Sequence, residues 1–209
     1  MTLAVACCLW QANDQSQPFS RCYDETWVEK LYRACRRNLT VPFEFVVFTD
    51  HMRSFDEGGI WQSRLARRPP NYGSLIEPFK LHEPTIIFGL DTVIVGNIDH
   101  MAEYCMTRTL VAQPRDPYKL ERSINPVVLK PAGYTDVYEH WHGENDMDHL
   151  RRMCAFEPID DLWPGQVLSL KAHRVRDTGL PPAARIVYFH GTPKPHEVAH
   201  LPWIREHWR

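Results

Sequence analysis

A strand–helix–strand pattern near the start of the chain constrains the fold most. Leu3–Leu9 is a short, continuous apolar run, which predicts a strand buried on both faces. Residues 24–38 change to a helical period with one apolar stripe, and Phe43–Phe48 is a second apolar run. Two strands joined through a helix pair in parallel with a right-handed crossover. The sequence therefore predicts an α/β protein with a central, mostly parallel sheet flanked by helices.

The later segments continue this organisation less regularly. Residues 51–71 are polar and rich in Arg, Gly and Pro, which predicts a flexible insertion. Helical patterns are expected over residues 73–81, 99–105 and 136–153 and from Pro202 onwards. Further strands are expected at Thr85–Phe88, Val93–Val95, Ile124–Leu129, Val167–Leu170 and Arg185–Phe189. No repeat or linker interrupts the pattern, so a single domain over residues 1–209 is predicted.

Composition excludes several functional classes. With 44% hydrophobic residues and a net charge of −2, the chain is typical of soluble globular proteins and has no global field for nucleic acid or acidic lipid. No apolar run approaches the roughly 18 residues that a membrane span requires. The six cysteines form no CxxC pair, which predicts reduced thiols and a cytoplasmic location. A homodimer is compatible with the sequence.

Functional side chains follow three predicted strands. In open α/β sheets, ligands bind beyond the carboxyl ends of the strands. Trp10, Thr49–Asp50 and Gly89–Asp91 occupy such positions. Trp10 and nearby Tyr23 offer faces on which a nucleobase can stack, although both residue types also pack in cores. Asp50 can accept hydrogen bonds from a base or ribose, or can end a turn.

Asp91, His190 and Lys194 together indicate a site for a metal-bound diphosphate. Asp91 lies between apolar runs, where an unpaired charge would be costly to bury. Carboxylate and imidazole groups bind Mg²⁺ or Mn²⁺, and a lysine ammonium acts as a compact point charge for phosphate. We therefore expect Asp91 and His190 as metal ligands, with Lys194 on the same diphosphate.

Two segments resemble a known enzyme family. Residues 90–98, Leu-Asp-Thr-Val-Ile-Val-Gly-Asn-Ile, resemble the metal-binding DxD strand of retaining GT-A glycosyltransferases of the family 8 type, the glycogenin and galactosyltransferase group. Gly191–Pro195 resembles that group's closing motif. The resemblance implies a GT-A fold and a hexosyltransferase that retains the anomeric configuration. It also implies a nucleotide-sugar donor, most often UDP-linked, and a divalent cation, Mn²⁺ or Mg²⁺.

The resemblance also implies where donor and acceptor bind. For catalysis it implicates Asp91, with Gln166 and Asp161 on the acceptor side. Strand ends and resemblance together give the donor site as Trp10, Tyr23, Thr49, Asp50, Ser74, Leu90, Asp91, His190, Gly191 and Lys194. The acceptor supplies a free hydroxyl and can be a saccharide, a protein, a lipid or a hydroxylated base in DNA.

The sequence departs from the family at three expected acidic or metal-binding positions. Gly89 stands where the first acid of DxD would be, and Gly165 replaces the acid before Gln166. Tyr188 occupies the position of the metal-binding histidine, while His190 follows two residues later on the same face of a strand. These departures leave open a nucleotide-sugar-binding protein without transferase activity. A nucleotidyltransferase is disfavoured because residues 10–20 contain no glycine for a phosphate loop.

Overall fold

A seven-stranded sheet forms the centre of the computed structural model, which describes residues 2–209. In spatial order the strands are β10 (Phe156–Pro158), β6 (Val111–Gln113), β9 (Val127–Lys130), β4 (Thr85–Phe88), β1 (Leu3–Leu9), β2 (Phe43–Thr49) and β3 (Ile60–Arg64). Six of these strands run in the same direction. The remaining strand, β9, lies between β6 and β4 and is antiparallel to both.

The first strand–helix–strand unit is confirmed. β1 and β2 pair in parallel from Leu3 to Leu9, and helix α1 (Glu25–Asn38) connects them. The carboxylate of Asp24 caps α1 by accepting from the Thr26 amide at 3.0 Å. The apolar stripe of α1 packs on the face of β1 that contains Cys7, whereas Cys8 faces the opposite core cluster. Side-chain alternation along β1 therefore builds both layers of the core.

Shorter helices cover the sheet and its edges. They are α2 (Asp99–Thr107), α3 (Thr135–Glu139), α4 (Asp146–Met153), α5 (Ile159–Leu162), α6 (Val175–Thr178) and α7 (Pro202–His207). Three 3-10 helices span Pro18–Ser20, Tyr72–Lys80 and Pro195–Val198. No helix within residues 2–209 has the length and apolarity to cross a membrane.

A second, three-stranded sheet positions the late part of the chain. Its order is β11 (Val167–Ser169), β12 (Ile186–Tyr188) and β5 (Thr92–Ile94). β11 and β12 are parallel, and β12 is antiparallel to β5, with Tyr188 opposite Thr92. The residues that follow β12 therefore lie beside the residues that precede β5. A separate hairpin consists of β7 (Arg115–Asp116) and β8 (Lys119–Ser123).

Three expectations for the chain's elements need correction. Residues 51–71 are not only a flexible insertion, because they contain β3, which pairs in parallel with β2. The strand expected at Ile124–Leu129 begins later, at Val127, so Ile124–Pro126 is a loop. Residues 136–153 form two helices separated by a loop that includes Gly143, instead of one continuous helix. All six cysteines are free, as expected.

Candidate functional site

A cavity of about 120 Å³ lies at the carboxyl edge of the central sheet. Its wall combines the ends of β1 and β4 with the loop between β1 and α1 and with the 3-10 helix Tyr72–Lys80. The predicted residues Trp10, Tyr23, Leu90 and Asp91 all line this cavity. The remaining lining residues are Cys8, Leu9, Ser16, Phe19, Ser20, Tyr72, Leu75 and Gly89. The winding of the chain thus joins segments that are far apart in sequence.

Aromatic rings form one wall of the cavity. The rings of Trp10 and Tyr72 meet edge to face, with centroids 6.2 Å apart. Tyr72 is fixed by a hydrogen bond of 2.8 Å between its hydroxyl and that of Ser20. Aromatic faces held this way suit a planar, partly polar group such as a nucleobase. Tyr72 was not among the residues expected from the sequence, because no strand end or motif distinguishes it.

Asp91 is the centre of a polar network beneath the cavity. Its Oδ2 accepts a hydrogen bond from the Tyr23 hydroxyl at 2.9 Å and another from the ammonium of Lys194. The Phe189 amide donates to the Asp91 carbonyl at 3.0 Å. Burial raises the pKa of Tyr23 far above its usual value, and the charge of Asp91 raises it further. Tyr23 therefore remains a neutral hydrogen-bond donor to Asp91 at every physiological pH.

Lys194 is buried almost completely. Its side chain is 1% exposed, while that of Asp91 retains 22% exposure. The Nζ atom also donates to the Phe189 carbonyl at 3.1 Å and lies 4.9 Å from the ring centre of Phe19. A buried ammonium requires such partners, because an unpaired charge in the interior is strongly destabilising. The carboxylate of Asp91 is its only anionic partner among the described residues.

His190 and Gly191 lie in the turn that leads to Lys194. Nδ1 of His190 is 3.2 Å from the Ser169 hydroxyl, and Nε2 is 3.2 Å from the Tyr118 hydroxyl. Burial lowers the pKa of His190, and the positive charge of Lys171 lowers it further, so the imidazole is neutral at neutral pH. Gly191 has a φ of 63°, in the left-handed region that favours glycine.

The side chains present do not form a site for a resident divalent ion. The Oδ2 atom of Asp91 is occupied by Lys194, and both ring nitrogens of His190 have hydrogen-bond partners. Gly89 contributes no side chain, and a Cβ there would be 3.2 Å from Oδ1 of Asp91. Within residues 2–209, no three His, Cys, Asp or Glu side chains cluster in a way that could hold a metal. The metal site expected from Asp91 and His190 therefore does not fit this arrangement.

Asp50 and Thr49 support the cavity from outside it. The Asp50 carboxylate accepts from the Gln11 amide at 3.1 Å and from the Arg53 guanidinium at 3.0 Å. Burial opposes ionisation of Asp50, but these hydrogen bonds outweigh it and lower the pKa. Thr49 is buried, and its hydroxyl accepts from Nε of Arg53 at 2.7 Å. Asp50 therefore fixes the chain just after Trp10, Thr49 holds Arg53, and neither side chain lines the cavity.

Ser74 also lies away from the cavity surface. It is fully buried, and its hydroxyl accepts a hydrogen bond from the Asn71 amide at 3.2 Å. This bond completes a capping box at the start of the 3-10 helix Tyr72–Lys80. The expected donor contact at Ser74 is not supported by its position, because its neighbours Tyr72 and Leu75 line the cavity instead.

Gln166 lies at the other end of the second sheet from Asp91. It precedes β11, and its carbonyl accepts hydrogen bonds from the amides of Arg185 and Ile186, both at 2.9 Å. Arg185 in turn bonds to Val95, which follows β5, whereas Asp91 precedes β5. The length of β5 therefore separates Gln166 from the cavity, and the acceptor-side role expected for Gln166 does not fit the register.

Asp161 holds the β7–β8 hairpin in place. Its carboxylate pairs with the guanidinium of Arg115 at 2.5 Å, and neighbouring Asp160 accepts from the Arg115 amide at 2.7 Å. The hairpin carries Tyr118, which is 67% exposed and reaches His190. Asp161 therefore serves as an anchor for the segment that borders the His190 side of the site.

A buried amide and carboxylate network lies beside Gly89 and was not expected from the sequence. Nδ2 of Asn125 donates to the carboxylate of Asp146 at 3.0 Å, and Gln113 donates to Oδ1 of Asn125. The next residue, Pro126, accepts from the Gly89 amide at 3.0 Å. Burial raises the pKa of Asp146 despite the opposing hydrogen bond from Asn125. This network fixes the orientation of the half-buried Asn125 amide next to the end of β4.

Comparison with known proteins finds similarity in the fold. No protein-family model matches the sequence, and no curated protein matches it. The bifunctional glycosyltransferase WbbM superposes with a TM-score of 0.61 at 8% identity, over 98% of this chain and 51% of its own. The glycosyltransferase GlyE of Streptococcus pneumoniae TIGR4 gives 0.60 at 13% identity, over 93% and 56% of the respective chains. This chain therefore spans about half the length of these two proteins.

A third solved structure matches over most of both chains. The galactosyltransferase LgtC, in complex with donor and acceptor sugar analogues, superposes with a TM-score of 0.59 at 10% identity. The match covers 97% of this chain and 93% of LgtC. At such low identity these similarities establish the fold alone. The chain has the GT-A fold of these glycosyltransferases, with a central, mostly parallel sheet flanked by helices.

Proposed function

We propose that this protein is a glycosyltransferase that transfers a hexose from a nucleoside diphosphate sugar, with UDP as the nucleotide, to an acceptor hydroxyl. The observation that supports this function best is the placement of Asp91, with the buried ammonium of Lys194 bonded to it, in an aromatic-walled cavity on the sheet edge where α/β folds bind ligands. A base-sized aromatic surface beside an ammonium matches the two ends of a nucleoside diphosphate.

The donor is proposed to lie with its base between the aromatic wall and Leu90. Trp10 and Tyr72 supply the stacking surface, and Asp50 keeps Trp10 in position through the Gln11 amide. The diphosphate then extends along the turn at His190 and Gly191 towards Lys194. The neutral imidazole of His190 can donate one hydrogen bond to a phosphate oxygen once its bond to Tyr118 is exchanged.

The proposed reaction replaces one bond at the anomeric carbon with another. The bond between C1 of the sugar and the diphosphate oxygen breaks, and its electron pair leaves with the diphosphate. The acceptor oxygen forms the new bond to C1, and its proton passes to the released diphosphate. Lysine ammonium groups near the leaving oxygen favour this step, because they stabilise the negative charge that develops there. Transfer with retention is the outcome that the sequence resemblance suggests.

The acceptor is proposed to approach over the β7–β8 hairpin. Tyr118 and Leu120 are both mostly exposed there, and Tyr118 contacts His190. Asp116 belongs to the hairpin, and Asp160 accepts from the Arg115 amide at 2.7 Å, so both carboxylates lie at the hairpin. An exposed aromatic ring with carboxylates nearby suits a saccharide hydroxyl better than a polyanion such as DNA. A protein or lipid hydroxyl remains a further acceptor class to test.

A second candidate function is donor binding without transfer. Gly89 favours it, because this position lacks the acid that the resemblance would place beside Asp91. Both functions require the same cavity and the same nucleotide, and they differ only in turnover. Release of sugar from a bound donor, to water or to an acceptor, separates them.

The experiment that tests the proposed function begins with thermal shifts. UDP-, GDP-, ADP- and TDP-sugars are compared, because a ligand that binds only the folded state raises its melting temperature. Transfer and hydrolysis are then measured with the radiolabelled form of the stabilising donor. Asp91→Asn should abolish turnover, whereas Asp148→Asn, at a side chain 74% exposed on α4, should retain it. Absence of stabilisation by every donor would contradict the proposal.

A further inference from the structure

We propose that two lysines take the place of a divalent ion, Lys194 by neutralising Asp91 and Lys171 by contacting the donor diphosphate, so that donor binding is independent of metal. This inference rests on the proposed function and specifies how its donor site handles charge. It follows from the failure of Asp91 and His190 to form a metal site and from the position of a second, unpaired lysine.

Lys194 occupies the cation position beside Asp91. Its ammonium donates to Oδ2 of Asp91, and the Tyr23 hydroxyl donates to the same oxygen. A divalent ion on Oδ2 of Asp91 would have to displace this ammonium into surroundings made largely of aromatic rings and the Phe189 carbonyl. Such a displacement leaves a buried, unpaired charge, which is strongly unfavourable. The single carboxylate is therefore already neutralised by the protein itself.

Lys171 supplies the additional positive charge. It follows β11 and is exposed, and its Nζ atom is 3.4 Å from the position that a Cβ at Gly191 would occupy. The ammonium thus lies against the turn that joins His190 to Lys194. No carboxylate within residues 2–209 forms an ion pair with Lys171, in contrast to the pairing of Lys194. The depressed pKa of His190 is consistent with this nearby charge.

The charge balance of the cluster favours an anion. Asp91 and Lys194 cancel each other and His190 is neutral, so the charges that remain around the left-handed turn at Gly191 are those of Lys171, which has no ion-pair partner, and of Asp116, which acts on His190 less strongly than Lys171 does. A nucleoside diphosphate sugar carries negative charge on both phosphates, so it is attracted without an added ion. Lysine ammonium groups bind phosphate oxygens as mobile point charges. Gly191 leaves the turn without a side chain beside Lys171, and glycine adopts its φ of 63° without strain.

Calorimetry on metal-stripped protein tests the proposal. UDP, GDP, ADP and TDP are titrated in excess chelator and again with Mn²⁺, and the matching nucleosides serve as phosphate-free probes. We expect the nucleotide that binds to have the same Kd within about twofold in both conditions, a difference below 0.5 kcal/mol. Lys171→Ala should weaken its binding by about tenfold, in the range for a charge-assisted hydrogen bond, and leave nucleoside binding unchanged. Lys171→Arg should restore most of the loss.

A matched control and the opposing outcomes complete the test. Arg205→Ala removes one exposed positive charge from α7 and should not change the affinity for the nucleotide. Nucleotide binding that appears only with Mn²⁺, or an unchanged Kd in Lys171→Ala, overturns the inference while the proposed function stands. Absence of binding by all four nucleotides in both conditions overturns the inference and the proposed function together.

Discussion

The hydroxyl of Tyr118, on an exposed hairpin, lies 3.2 Å from Nε2 of His190, in the turn that leads to Lys194. The two residues are 72 positions apart in sequence, and their rings meet edge to face with centroids 5.7 Å apart. This contact links the hairpin over which the acceptor is proposed to approach to the turn along which the donor diphosphate is proposed to extend. The protonation state of His190 therefore affects both.

Stability should fall as pH decreases, and His190 should account for part of the loss. The pKa of His190 is lowered in the folded state from its ordinary 6.5, so protonation favours the unfolded chain. The loss in unfolding free energy that His190 causes is absent above pH 6.5, grows as pH falls below that value, and becomes constant below the folded-state pKa. Urea denaturation of wild type and His190→Gln between pH 5 and 8 measures it. Parallel pH profiles for the two proteins would contradict the assignment.

Asp91→Ala should destabilise the protein as well as abolish transfer. A carboxylate at a strand edge with no buried partner would contribute little to stability. The structure shows instead that Lys194 would lose its counterion. We expect a loss of about 2–3 kcal/mol in the free energy of unfolding, somewhat below the range for fully buried pairs because Asp91 is partly exposed.

The double variant Asp91→Ala, Lys194→Met provides the control for this prediction. It removes both charges, so it should recover much of the stability lost in the single variant while transfer remains absent. Chemical denaturation and donor turnover are measured on both variants. A single variant as stable as wild type would show that the ion pair contributes nothing to folding.

Gly89→Asp should create a dependence on metal. A Cβ at this position lies 3.2 Å from Oδ1 of Asp91, so the new carboxylate would repel Asp91 unless a cation lies between them. We expect weaker nucleotide binding in chelator and recovery on adding Mn²⁺, measured by calorimetry. Gly89→Ala introduces the steric contact without the charge, so its binding should not respond to Mn²⁺. Equal responses of the two variants would exclude the charge explanation.

Gln166→Ala should leave transfer almost unchanged. Gln166 lies beyond β5 from the cavity, so its amide cannot reach the reacting sugar in this register. We expect kcat/KM to change by less than about twofold, or under 0.5 kcal/mol in the barrier. Steady-state kinetics on the established donor and acceptor check this. A loss of two orders of magnitude would restore the acceptor-side role suggested by the sequence resemblance.

Local patterns explain which elements the sequence predicted well. β1, α1 and β2 each have the hydrophobic period of their own structure, so they are recognisable without knowledge of the fold. β3 has no such pattern, because Ile60–Arg64 is an edge strand with mostly polar, partly exposed side chains. Its formation depends on pairing with β2, which no short window of sequence reveals.

The residues of the candidate site also differ in whether a local pattern or long-range strand pairing determines their position. Trp10 and Asp91 were predicted because parallel strands bring their carboxyl ends to one edge. Gln166 was misplaced because its position depends on the register of β11, β12 and β5, which are far apart in sequence. The role proposed for Lys171 was not anticipated, because a single lysine after a strand matches no motif. Its significance appears only where the turn at Gly191 brings it beside Lys194.

The pairing of Asp91 with Lys194 also affects the order in which the protein can mature during synthesis. The two residues are separated by 103 positions, and chains generally fold from the amino terminus as they emerge from the ribosome. β1, β2 and β4 can pair early, but the carboxylate at the edge of β4 lacks its ammonium partner until Lys194 is translated. A nascent chain therefore acquires its sheet before it acquires a charge-balanced binding site.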